Sequence, residues 1–147
     1  MRPTFSVIIA GGRTFDDYDL LAEFCDHYLS DKINTHNIEI VSGTANGADK
    51  LGEQYADDLE LVYATKTCGT FEDLNGNHAD ASIKRFPADW NKHGKSAGYK
   101  RNQEMGNYAD ALIAFWDGAS RGTRHMINIM RQLNKPVKVC YYTKESI

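Results

Sequence analysis

The runs FSVIIA (residues 5–10), IEIV (38–41) and ALIAFW (111–116) are apolar or nearly so along their length, without polar alternation, and each leads directly into a glycine-bearing bend. A strand that is apolar at every position is covered on both faces, which excludes a sheet with one side open to water. Each bend is followed by residues at helical spacing. Strand and helix therefore alternate almost from end to end, the pattern of an α/β domain built on a parallel sheet.

Between these runs the spacing predicts a helix over residues 18–33, where Leu20, Leu21, Phe24, Cys25, Tyr28 and Leu29 form one apolar face and Asp16 or Asp17 caps the start. A second helix is expected over 48–58. A third strand is expected over 82–86, closed by Pro87, which cannot continue a central ladder. A helix over 96–109 follows, with Tyr99, Met105 and Tyr108 partly inward, then one over 124–133 and a last strand over 136–142. Residues 59–80 break the rhythm: their first part reads as strand or helix extension and their second part as loop, together an insertion. The expectation is one domain over residues 1–147, with five strands in a mainly parallel sheet.

Composition narrows the function classes. Seventeen Lys and Arg against twenty Asp and Glu give a net charge of −3, which disfavours duplex nucleic acid and anionic membranes as partners. No run reaches the roughly 18 apolar residues of a membrane span. Cys25, Cys68 and Cys140 are odd in number and far apart, so a disulfide framework is not expected and the chain reads as cytoplasmic. His27, His36, His78 and His93 have no metal-ligand spacing, and neither a metal nor a cofactor is expected.

In open parallel sheets, ligands bind beyond the carboxyl ends of the strands. Here those exits are GGRTFDD, SGTANGAD, PADWNKHGKSAGYKRN and DGASRGT. Glycine lets backbone N–H groups approach a phosphate or ribose, and a following helix adds free N–H groups and a positive dipole end. Ser42, Thr44, Ser120 and Thr123 add neutral donors, and Arg13, Arg101, Arg121 and Arg124 can fork onto phosphate oxygens. Trp90, Tyr99 and Phe15 are candidates to stack on a base, half-buried packing being the commoner role for Trp90. Neither G-x-G-x-x-G nor G-x-x-x-x-G-K-[ST] is present, which disfavours a conventional NAD dehydrogenase and a Walker-type ATPase.

Taken together, VIIAGGRTFDD, VSGTANGADKLGEQYA, FPADWNKHGKSAGYKRNQEM and ADALIAFWDGASRGTRHMI resemble the YspA-like branch of the SLOG superfamily, which includes the Lonely Guy phosphoribohydrolases and the DNA-processing protein A fold. With the strand pattern, the resemblance implies a Rossmann-like three-layer sandwich with a five-stranded, mainly parallel sheet ordered 3-2-1-4-5, a nucleotide or nucleotide-derived small molecule as partner, and a homo-oligomer. The Lonely Guy enzymes carry an arginine before the fourth strand and a P-G-G-x-G-T-x-x-E loop after it. By motif position Arg101 matches the arginine, and Gly118, Gly122 and Thr123 match the phosphate loop. Gly11, Gly12, Arg13, Ser42, Gly43, Thr44, Asn102 and Ser120 complete the expected ligand-binding set.

The place of the enzymes' glutamate is held by Met126, so the loop argues for binding more than for catalysis. The expected function is a sensor or sequestering module for a nucleoside phosphate or an NAD- or ADP-ribose-derived nucleotide. An N-glycosidic hydrolase would need a relocated carboxylate, from Asp16, Asp17, Glu104 or Asp117, acting with Arg101; an ion pair with Arg101 is the plainer role for Glu104. His125, at the first turn of its helix, is a ligand-contact residue or, less favoured, a general base. Single-stranded nucleic-acid binding is a further alternative, against which the acidic balance argues.

Overall fold

The computed structural model describes residues 2–65 and 80–143. Its strands are β1 (Thr4–Gly11), β2 (Asn37–Ser42), β3 (Ala81–Arg85), β4 (Ala111–Trp116) and β5 (Val137–Tyr141). They form one sheet in the order β3-β2-β1-β4-β5. All four pairings are parallel, with Val7 opposite Ala111 on one side of β1 and Ile40 on the other. This is the expected Rossmann-like arrangement.

The helices are α1 (Tyr18–Tyr28), α2 (Ala48–Thr65), α3 (Trp90–His93), α4 (Ala97–Tyr108) and α5 (Arg121–Gln132). Alternate residues of each central strand point to opposite faces. Val7, Ile9, Ile38, Ile40, Ile113 and Phe115 pack with Leu21, Cys25, Tyr55 and Tyr63 of α1 and α2. Ile8, Val41, Leu112 and Ala114 pack with Met105 of α4 and with Met126, Ile127 and Met130 of α5. Three layers follow directly from strands that are apolar at every position.

Helix boundaries depart from expectation in three places. α1 ends at Tyr28, not at residue 33, and the chain turns back with the N–H groups of Lys32 and Ile33 both donating to the Leu29 carbonyl. Arg2 fastens that turn by donating to the carbonyls of Ile33 and His36. α2 continues to Thr65, because Leu59 and Tyr63 still reach the core and the Tyr63 hydroxyl donates to Ile33 O at 2.9 Å. The first residues of the expected insertion are thus helix, whereas 66–79, with Cys68 and His78, lie outside the described residues. α5 begins at Arg121, three residues early, so the latter part of DGASRGT is already helix.

No helix among the described residues is long and apolar enough to cross a membrane.

Candidate functional site

The sheet order reverses between β1 and β4, which lie side by side in the sheet and send their following helices to opposite faces. Such a switch point opens a crevice at the carboxyl ends of the strands. A cavity of about 510 Å³ lies there, within the range of small-molecule sites.

One wall is the exit of β1. Gly12 is held by its N–H to Phe115 O and by its own carbonyl, which accepts from the N–H groups of Phe15 and Ala48, each bond at 3.2 Å. This anchoring presents Gly11, Gly12, Arg13 and Thr14 to the cavity. Gly47 makes the approach of the α2 start possible: its φ is +81°, and a Cβ there would collide with the main chain of Gly12 and Arg13.

The opposite wall is the start of α5. Ser120 is its N-cap, and the first intrahelical bond runs from Arg124 N–H to Ser120 O at 3.1 Å. The amides of Arg121, Gly122 and Thr123 therefore belong to the first turn, which has no intrahelical acceptor for them. Asp117 shapes the approach by accepting from the N–H groups of Ala119 and Ser120, both at 2.9 Å. Asp117, Ser120, Gly122 and Thr123 all line the cavity, with Met105 and Met126 among the lining side chains. Gly118 is exposed, has a φ of +87°, and is not in the lining.

Arg101 reaches in from α4. Its Nη1 donates to Gly43 O and its Nε donates to Asn102 Oδ1 at 3.0 Å. Burial pushes the guanidinium pKa down, Asp49 opposes that, and the charge of Arg13 adds to it. Asn102 links the helices, contacting His125 Nδ1 at 3.1 Å and donating to Gly122 O at 3.5 Å. Burial lowers the His125 pKa, which favours the neutral ring, and Tyr99 stands edge-on to it at 4.5 Å. Glu104 is exposed and outside the lining; Arg101 bonds to Gly43 and Asn102 in place of the ion pair expected with it.

The β2 exit divides in function. Ser42 is fully buried and faces inward, its hydroxyl donating to Glu53 at 2.6 Å and accepting from Thr44 N–H at 3.0 Å. Glu53 in turn receives Arg85 through Nε and Nη2, both at 3.1 Å. Gly43 and Thr44 line a neighbouring hollow of about 380 Å³ with Trp90, which shares Arg13, Ala45 and Arg101 with the main cavity.

Among the aromatics the expectations need correcting. Phe15 is 4% exposed and stacks on Phe115 at 5.1 Å, so it is core and unavailable to a base. Trp90, 52% exposed, is half-covered as expected and passes close to Gly98 of α4, while Tyr99 and Tyr108 are more open than expected because α4 turns Met105 and Gly106 to the sheet instead. Asp16 is exposed, and Asp17 caps α1 by accepting from Leu20 N–H at 3.0 Å; neither lines the cavity.

Sequence reasoning missed Asp49. It sits in the first turn of α2, is 6% exposed, lines the cavity, and accepts from Ala45 N–H at 3.2 Å. Burial pushes its carboxyl up to about 6, against the Ala45 bond and the charges of Arg101 and Arg13. Gly43 is what lets Asp49 and Arg101 stand together, since a Cβ there would lie 2.8 Å from Asp49 Oδ2 and 2.7 Å from Arg101 Nη1. The signal was its place inside an exit loop, but an acid in a first helical turn reads as an ordinary cap.

The sequence profile of YAcAr, the YspA, cpYpsA-related SLOG family, matches residues 5–67, which span β1 to the end of α2. Gene 61 protein of Mycobacterium phage D29 is 30% identical over 134 residues, covering 89% of this chain and 92% of that protein. An X-ray structure of TM1055, a Northeast Structural Genomics Consortium target, superposes with a TM-score of 0.48 at 18% identity, covering 93% of this chain and 72% of that one.

Proposed function

We propose that this chain, which belongs to the YspA, cpYpsA-related SLOG family, binds a nucleotide in the cavity between β1 and α5 and acts as a sensor or sequestering module. The ligand class is a nucleoside phosphate or an NAD- or ADP-ribose-derived nucleotide. The observation that carries the reading is the convergence of Arg13, Arg101 and the first turn of α5 on one cavity at the switch point. A guanidinium and a helix N-terminus both favour an anion, and together they suit a phosphate.

Met126 supports binding over cleavage. It is 1% exposed and brings no carboxylate to the place where the Lonely Guy pattern has its glutamate. A second reading, hydrolysis of the N-glycosidic bond, is favoured by Asp117, a carboxylate that does line the cavity. The exposed aromatics Trp90, Tyr99 and Tyr108 accord with a homo-oligomer, and the cytoplasm is the proposed compartment.

The test is to titrate the purified chain with nucleoside monophosphates, NAD and ADP-ribose by calorimetry, and to look for released base by chromatography. Binding without base release is expected; released base moves the assignment to the hydrolase. Arg101→Met and Gly122→Ala probe the site itself. A Cβ at Gly122 meets nothing within 4 Å, so that variant should fold and obstruct only the ligand. Arg101→Met should weaken binding by at least about tenfold, the worth of one charge-assisted hydrogen bond, and Gly122→Ala should weaken it by crowding the ligand against the first turn of α5. Wild-type affinity in both would overturn the placement.

A further inference from the structure

Resting on the nucleotide reading, we infer that Asp49 is the acceptor for the ligand's ribose hydroxyls, and that the cavity therefore selects ribonucleotides over 2′-deoxyribonucleotides.

A carboxylate repels a phosphate, so the phosphate end of the ligand belongs with Arg13, Arg101 and the first turn of α5. What an ionised carboxylate takes instead is a neutral donor, and it has lone pairs for several. A nucleotide offers such donors on the sugar, as hydroxyls, and on some bases, as an exocyclic amine.

Of the acids at the switch point, Asp49 carries the fewest hydrogen bonds. Glu53 is engaged by Ser42 and Arg85 and lies outside the lining. Asp117 holds the β4–α5 bend together through the N–H groups of Ala119 and Ser120. Asp49 receives one backbone N–H, from Ala45, on Oδ2. It is more than nine-tenths buried yet lines the cavity, so the surface it keeps open is offered to whatever fills that space. Burial also pushes its carboxyl well above the usual range, a cost to folding that a ligand's hydroxyls would offset.

Position favours the sugar over the base. Asp49 lies beside Arg101 beneath Gly43, among the residues that would hold the phosphate. In a nucleotide the ribose is what adjoins the phosphate, and the base projects further away. The neighbouring hollow lined by Trp90 shares Arg13, Ala45 and Arg101 with the cavity and gives the base a place to go.

The experiment pairs each ribonucleoside monophosphate with its 2′-deoxy counterpart and adds inosine monophosphate, which lacks the exocyclic amine, using the full chain and its Asp49→Asn variant in calorimetry. The expected result is that the ribonucleotide binds roughly tenfold to a hundredfold tighter than its deoxy counterpart, the worth of one hydrogen bond to a charged group. Inosine and adenosine monophosphates should bind alike, and Asp49→Asn, which replaces a charged acceptor by a neutral one, should narrow the gap between ribo and deoxy forms several-fold. Denaturation of the variant confirms that it is folded. Equal binding of ribo and deoxy forms by the wild-type chain overturns this inference alone. So does a gap that Asp49→Asn leaves unchanged, and so does a preference that follows the base amine. If no nucleotide binds, the nucleotide reading itself falls.

Discussion

Replacing Asp49 by asparagine should make the protein more stable near neutral pH while damaging its binding site. Burial raises the carboxyl from 3.8 to about 6, so ionising it in the folded chain costs about 3 kcal/mol more than in the unfolded chain. The folded state keeps its proton between those values while the unfolded state has lost it, and wild-type stability therefore falls as pH rises through that window. Asparagine escapes this cost and can still accept from Ala45 N–H through its amide oxygen. The gain is at most about 3 kcal/mol above pH 7, a value in which the attraction of Arg101 and Arg13 is already contained. It should vanish below about pH 4, where both side chains are neutral. In a chain of this size that is a rise in Tm of roughly 5 to 10 °C. Urea denaturation and thermal melts of both proteins at pH 7.5 and at pH 4 measure it. A variant that is less stable at pH 7.5, or a difference that is the same at both values, would refute the reasoning.

Gly43→Ala puts a methyl group against Arg101 Nη1 and Asp49 Oδ2, so it should displace both side chains and weaken nucleotide binding by about tenfold or more, read by calorimetry. Gly52→Ala lies away from the cavity, where its Cβ would stand 2.8 Å from that of Ile9; overpacking of α2 against β1 should cost about 1–3 kcal/mol in urea with nucleotide affinity retained. Lys135→Met removes a cation whose Nζ donates to the carbonyls of Gly106 and Ala109 at 2.8 Å and of Asn107 at 3.2 Å. Those groups end α4, and losing their donor should cost about 2 kcal/mol in urea denaturation.

The sheet was legible because its central strands are buried on both faces and so carry a signal at every residue: β4 runs over the same six residues that its apolar run marked. Helix ends were less so, because periodicity reports burial and not helicity. Leu29 is fully buried and keeps the spacing of α1, yet it already belongs to the turn. The end of α2 was obscured for the opposite reason, since Leu61 and Val62 are exposed apolar residues that give the segment a strand-like look. At the site, the glycine exits and Arg101 were visible as motifs. Ser42 stood among them and turns out to serve Glu53, a partnership between β2 and α2 that no local pattern encodes. Asp49 was hidden because its meaning depends on how deeply the α2 start is buried, and that depth is set by the close passage of Gly12 and Gly47.

The central claim is that a nucleotide sits between the β1 exit and the first turn of α5, and amide chemical shifts test it most directly. In a two-dimensional 1H–15N spectrum, titrating a nucleoside monophosphate into the labelled chain should move the amides of Gly12, Arg13, Gly122 and Thr123 most, and Arg101→Met should suppress those movements. Shifts gathered elsewhere on the chain, or none under any nucleotide, would contradict the account.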